Sequence, residues 1–275
     1  MALEGSWAKI HRADEQIGAL YAEIKHALRW DRLVEAMVSY DPSVYTEPVE
    51  GAYRVWAKVE DAPIRWGVLI GEIVHDLRSA LDQTFFALAD GPGMDPRDLQ
   101  FPIFKEEPNY DRWRAPGIWG RKRRKDPMRH VSDTARRVIC LWQPFQDKAR
   151  GEDPAANVLA RLNEMSNFDK HRITTPVVTG LVSAGWGVSR INWPNGLGVE
   201  LIDQNAHWPI DKPIKNRDSL MALRFDPPIS DLQVEVKAAI PAAVFLDEER
   251  ELLPTLQSFE EAVIEVVTSL EPEVA

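Results

Sequence analysis

A single cysteine, Cys140, rules out an internal disulfide framework and any cysteine-only zinc cluster, so the redox expectation is a reducing compartment. Long apolar runs are also missing. The best two, residues 66–74 and 238–246, fall far short of the ~20 residues that cross a bilayer, and Glu72 and Pro241 interrupt them. The opening stretch MALEGSWAKIHRADEQ carries charges where a signal peptide has its apolar region. The expectation is a cytoplasmic protein with no membrane partner. A Walker loop, a dinucleotide-binding glycine motif, a zincin H-E-x-x-H and a serine-hydrolase G-x-S-x-G are all lacking, so those reactions lose their usual signatures. Over 275 positions, 44% apolar and 28% charged residues are enough for a core in one large or two modest domains.

Apolar spacing organises the chain. Ile10, Ile17, Leu20, Tyr21, Ile24, Leu28, Leu33 and Met37 recur at a helical period, predicting a helix near 7–37 with Ser6 as its N-cap. Pro42 and Pro48 break it, and Tyr53, Val55, Ala57 and Val59 alternate with polar neighbours as a short strand does. Residues 64–89 carry one wide stripe, Trp66, Leu69, Ile70, Ile73, Val74, Leu77, Leu81, Phe85 and Leu88, the clearest helix of the sequence. The stretch from 91 to about 130 holds no steady period and reads as a long loop, basic near 105–130. A helix follows from Ser132 or Asp133 to Trp142, and another from Asp153 as N-cap with Pro154 in its first turn. After Arg172, β-branched runs separated by turn signals such as Pro194-Asn195-Gly196 predict four to six antiparallel strands, and residues 249–270 a closing helix. The fold class is α+β: a mainly helical bundle over 1–172, then over 173–275 an antiparallel β-sheet and a C-terminal helix, packed with the bundle as one unit.

Charge is unevenly spread. The total is −10, yet residues 112–137 hold ten bases (among them Arg121, Lys122, Arg123, Arg124 and Lys125) against Asp126 and Asp133, which makes that segment +8 and the remainder −18. Trp113, Trp119 and His130 are interleaved with the cations and offer rings on which bases stack while the cations meet phosphates. The plainer alternative is a solvated charge run, or one docked on the protein's own acidic surface.

Two short polar segments stand out. On the 64–89 helix, His75, Arg78 and Asp82 fall at i, i+3 and i+7 along one flank, with Glu72, Asp76, Ser79 and Gln83 expected to face solvent. In NEMSNFDKHR, residues 163–172, Asp169 falls in the middle of the apolar face of its helix. A carboxylate there is costly to bury without a cationic partner, and Arg78 or His75 is the natural one. The expected site gathers His75, Arg78, Asp82, Asp169, Lys170 and His171 in one cleft. There a histidine can take a 2′-hydroxyl proton while Arg78 and Lys170 stabilise phosphate charge. Glu72 and His75 form an isolated E-x-x-H without the second pair that a di-iron bundle needs, so neither a metal nor another cofactor is expected. Cys140, between Ile139 and Leu141, suits a buried filler.

HDLRSALDQ (75–83), FPIF (101–104) and LNEMSNFDKHR (162–172) together resemble a group of uncharacterised bacterial and phage proteins with an HxLRxxLD helix followed much later by DKHR. A second resemblance is to HEPN-type helical domains, many of which cleave RNA with an arginine, a polar residue and a histidine in R-x4–6-H. Arg78 and Ser79 match its start, while Gln83, Thr84 and Phe85 stand at the histidine positions. That resemblance implies a nucleic-acid-associated protein with RNA or another phosphate-bearing partner, extending to metal-independent RNA cleavage. The competing reading is a non-catalytic structural or interaction protein whose HDLR and DKHR motifs brace helices internally. Neither reading sets an oligomeric state.

Overall fold

The structure, a computed structural model, describes residues 3–28, 34–46, 49–119, 122–169, 177–180, 186–192, 200–206, 215–226, 233–238, 242–246 and 250–274. It is an α+β protein that divides into two compact units, each assembled from separate stretches of chain. The first comprises Met1–Tyr21, Ile64–Thr174 and Leu253–Ala275, and the second Ala22–Pro63 and Thr175–Leu252.

The opening helix α1 (Glu4–Leu28) buries Ile10, Ile17, Leu20 and Ile24 of the predicted stripe together with Ala13, and leaves Tyr21 exposed. It ends nine residues before the expected stop. Leu33 and Met37 fit a helical period, but 34–40 also alternates, and β1 (Val34–Thr46) pairs with β2 (Val49–Val59) in antiparallel register, Met37 opposite Trp56. Ser6 is likewise not the N-cap, because the helix starts at Glu4. Its hydroxyl is buried instead, 2.9 Å from that of Thr84 on α2 (Ile64–Ala89), the helix whose bounds the sequence predicts residue for residue.

The two helices meet along a polar seam. Gln16 Nε2 donates to Glu72 Oε2 at 2.7 Å, Lys9 Nζ to Asp76 Oδ1 at 2.6 Å, and Arg12 Nε lies 3.2 Å from Asp76 Oδ2. Ser6 meets Thr84, and Gly5 faces Gln83. Numbers rising on α1 as they fall on α2 make the pair antiparallel. Of the face of α2 expected to see water, Glu72 and Gln83 are exposed, but Asp76 is 2% exposed between two cations of α1.

Between α2 and the next long helix the chain is more ordered than a loop. A 3₁₀ turn at Pro96–Asp98 is followed by α3 (Glu107–Arg114) and a hairpin of β3 (Gly117–Trp119) and β4 (Lys122–Arg124), with Ile118 opposite Arg123. Eight helical residues show too few turns for a period to emerge. Tyr110 and Trp113, three apart, anchor α3 in a cluster with Phe85, Phe104 and Phe145.

The helix α4 (Asp133–Leu141) starts where the sequence predicts and is capped by Ser132, whose Oγ accepts from Ala135 N at 3.0 Å. After the short α5 (Phe145–Ala149), α6 (Val158–Asp169) begins four residues later than expected. Asp153 closes only a turn, accepting from Ala155 N, while Asn157 Oδ1 caps the helix by accepting from Leu159 N at 2.9 Å. Asn157 is the better cap because its Nδ2 is also held, by Asp147 Oδ2 at 2.8 Å. The last helix, α7 (Leu252–Leu270), buries the apolar stripe Leu252, Leu256, Phe259, Val263 and Val267, together with Val266 and Leu270.

In the second unit the strands after α6 are β5 (Val177–Gly180), β6 (Trp186–Asn192), β7 (Glu200–Ala206), β8 (Ser219–Asp226), β9 (Gln233–Ala238) and β10 (Ala242–Phe245). That is six, within the expected number, but they do not form one sheet. The order β1-β2-β8-β7 makes a four-stranded sheet, and β10 pairs with β5 and β6 with β9. Strand β2 alternates as predicted, with Tyr53, Val55 and Ala57 buried and Arg54 exposed, and its partner β8 comes from the far end of the chain. This pairing explains why Ala22–Pro63 clusters with 175–252 although helices surround it in sequence. The turn at Pro194–Gly196 lies outside the described residues.

Candidate functional site

Of the six residues expected to form one cleft, the structure describes the side chains of three. Arg78 and Asp82 form the i,i+4 pair, Nη2 to Oδ1 at 3.0 Å, with the Arg78 side chain 12% exposed. Both reach the backbone of the same residue of the FPIF segment: Arg78 Nη2 donates to Phe101 O at 2.8 Å, and Phe101 N donates to Asp82 Oδ1 at 2.9 Å. Burial pushes the guanidinium below its ordinary value while the Asp82 carboxylate pulls it back up, and arginine stays charged throughout. His75 stands apart. It is exposed, and its Nε2 lies 3.4 Å from Ser79 Oγ on its own helix. Lys170 and His171 lie outside the described residues, as does the side chain of Asp169. Helix α6, which ends at Asp169, packs on α2.

The FPIF segment is held by side chains in place of a partner strand. Besides the two bonds at Phe101, Gln143 Nε2 donates to Pro102 O at 2.9 Å, Phe104 N donates to Gln143 Oε1 at 3.1 Å, and Phe145 N to Phe104 O at 3.2 Å. Backbone groups in a non-helical buried segment need such partners. Arg78, Asp82 and Gln143 supply them, and the Phe101 ring closes edge-on against Phe85 at 6.4 Å. Gln143 is the residue the sequence reading passed over, since an amide one position before a proline carries no pattern of its own.

In the basic segment, Arg121 and the side chains of Lys122, Arg123 and Arg124 lie outside the described residues. Arg112, Lys125 and Arg129 are exposed, and none has a carboxylate partner among the described residues. Arg114 sits over the Tyr110 ring at 5.5 Å. Arg136 is spent on structure, its Nε donating to Val131 O at 3.0 Å and Nη2 to Met128 O at 2.6 Å. Of the rings expected as stacking platforms, Trp113 belongs to the internal aromatic cluster, 5.9 Å from Phe85 and 5.8 Å from Tyr110. His130 lies against the turn after α2, so close that a Cβ at Gly91 would come within 2.7 Å of its ring. Gly93 in the same turn takes a φ of 81°, a conformation that glycine tolerates. Burial pushes the Tyr110 hydroxyl up to about 12, and it donates to Met128 Sδ at 3.6 Å. Cys140 is half-buried, not sealed, and its Sγ accepts from Gln146 Nε2 at 3.4 Å.

Three clefts accompany these residues in the first unit. One of about 410 Å3 lies between residues 103–106, Asn109 and the α6 residues Ala160, Asn163, Glu164 and Asn167. One of about 340 Å3 lies beside Arg114 and Arg136. The largest, about 530 Å3, is formed by Trp7, His11 and their neighbours against Glu271 and Val274. Among the described residues no group of three or more histidine, cysteine or acidic side chains is gathered as a metal site requires, and no helix is long and apolar enough to cross a membrane. No family model matches the chain, and neither do any curated protein or solved structure.

Proposed function

We propose that this protein binds nucleic acid through its phosphates, gripping them with the basic segment 112–137, and that HDLR is an internal brace of the scaffold carrying that grip. The observation that carries the reading is the state of Arg112, Lys125 and Arg129. They are exposed and unpaired with any carboxylate among the described residues, in a chain that has acid to spare at −10 overall. A run of cations docked on its own acidic surface would have used them. What supports the brace is the use to which Arg78 and Asp82 are put. Their charges close on the backbone N–H and C=O of Phe101, while a phosphodiester cleavage site needs its arginine turned to a phosphate oxygen and its histidine within reach of a hydroxyl.

The test is RNA binding across a salt series in the presence of a chelator, with the intact protein and a variant carrying alanine at Arg121, Lys122, Arg123, Arg124 and Lys125. On single strands each phosphate contact contributes about −0.7 to the slope of log affinity against log salt, so losing five cations should flatten the slope by about 3. RNA should be recovered uncut. Binding that ignores salt, or a slope the variant leaves unchanged, overturns the phosphate grip. Cleavage in chelator that His75→Ala abolishes would replace the brace with a catalytic site.

A further inference from the structure

Helix α3 has a cleft at each end, and the two differ in chemistry. At its C-terminal end, where the chain enters the basic hairpin, the smaller cleft presents Arg114 and Arg136 beside Asp111 and Asp126. Near its N-terminal end, the 410 Å3 cleft presents three carboxamides (Asn109, Asn163, Asn167), the carboxylates Glu106 and Glu164, and Lys105, with half-buried Ile103 and Phe104, whose ring also packs on Tyr110 and Trp113, as its apolar lining. A net charge of one minus repels a phosphate. The same groups are dense in paired donors and acceptors, since every carboxamide offers both and each carboxylate accepts at two oxygens. A neutral, flat, edge-polar ligand meets those conditions. Carboxamides bond adenine through two atoms and carboxylates accept from the exocyclic amine of cytosine, while an aromatic face takes the ring. Ala160, buried at the bottom of the row that Asn163, Glu164 and Asn167 continue, leaves the depth for it.

We infer that the 410 Å3 cleft receives one unstacked base of a single-stranded nucleic acid whose phosphates run over the basic hairpin, and that it selects bases carrying an exocyclic amine over uracil. The inference rests on the phosphate grip proposed above. Asn109 and Arg114 are five residues apart on α3, ~8 Å along its axis, a span that a nucleotide or two of extended strand covers. Uracil presents carbonyls where adenine and cytosine present an amine. Glu106 and Glu164 then face lone pairs, and the mismatch is repulsive as well as unfilled.

The experiment measures fluorescence anisotropy of labelled short homopolymers of adenylate, cytidylate and uridylate at several salt concentrations. It compares the intact protein, the double variant Asn109→Ala with Asn163→Ala, and the five-alanine hairpin variant, each checked for its helical signal by circular dichroism. The intact protein should bind the adenine and cytosine polymers about tenfold more tightly than the uracil polymer. The double variant should lose that preference and keep the salt slope, and the hairpin variant should weaken all three alike and lower the slope. Equal binding of the three polymers by the intact protein, or a preference that survives in the double variant, overturns the base cleft while leaving the phosphate grip standing. Absence of binding to every polymer removes the grip and the base cleft with it.

Discussion

Arg78, which its spacing with His75 and Asp82 singles out, is engaged by the backbone of one residue. Its guanidinium holds the carbonyl of Phe101 and the Asp82 carboxylate at once, and the same carboxylate accepts from the Phe101 amide, so two side chains close on the N–H and C=O of one residue. Truncation removes the cation and leaves Phe101 O and Asp82 without it in a largely dry place. Arg78→Ala should therefore cost about 2–4 kcal/mol, read as a lowered urea midpoint with an unchanged slope. Arg78→Lys should recover only part of it, because both contacts are made by Nη2 at the far end of the guanidinium, and an ammonium is more strongly hydrated and costs more to bury there. A loss below half a kcal/mol, as an exposed i,i+4 pair gives, would show that the brace carries no weight.

Among the elements, the two ends of α6 separate what local chemistry decides from what context decides. Asp153 followed by Pro154 has the residue types of a helix start, yet Asn157 caps, because Asp147 on α5 fixes its amide. Asn157→Ala should cost about 1 kcal/mol of stability and Asp153→Ala only a few tenths, compared by denaturant midpoints. Equal losses would mean that the turn before α6 is as important as its cap.

The same distinction sets how much of the fold was legible. The bounds of α2 were, since its stripe runs for seven turns, and so were the start of α4 and the alternation of β2. The seam with α1 was not, because a polar face buried by another polar face reads as a solvent face. Hence Asp76 went to water in the sequence reading and Arg78 to a cleft. Helix α3 and its hairpin were missed because elements this short are specified by Tyr110 and Trp113 meeting residues far along the chain. His75, Arg78 and Asp82 do share a flank, as their spacing demanded, but spacing says nothing about which of them turns inward.

On the scale of the molecule, both units are stitched from distant stretches. The helical unit depends on α7, which brings seven apolar side chains buried to 0%, from Leu252 to Leu270. At about 1.5–3 kcal/mol for each buried side chain, their loss is as large as the ~5–15 kcal/mol by which a domain is stable. A chain ending after residue 174 should therefore keep helical signal but melt without a cooperative transition and bind a hydrophobic dye. A sharp two-state melt of that fragment would show that its core closes without α7.

The pairing of β2 with β8 also has a temporal side. The hairpin β1–β2 leaves the ribosome with one edge of β2 open, and the strand that covers it begins roughly 160 residues later. At translation speeds of about 5–20 residues per second that edge waits on the order of 10–30 seconds for its neighbour. Throughout that interval nascent chains on adjacent ribosomes offer one another the same unfilled edge, so the yield of correctly folded protein should fall as messages become more densely loaded.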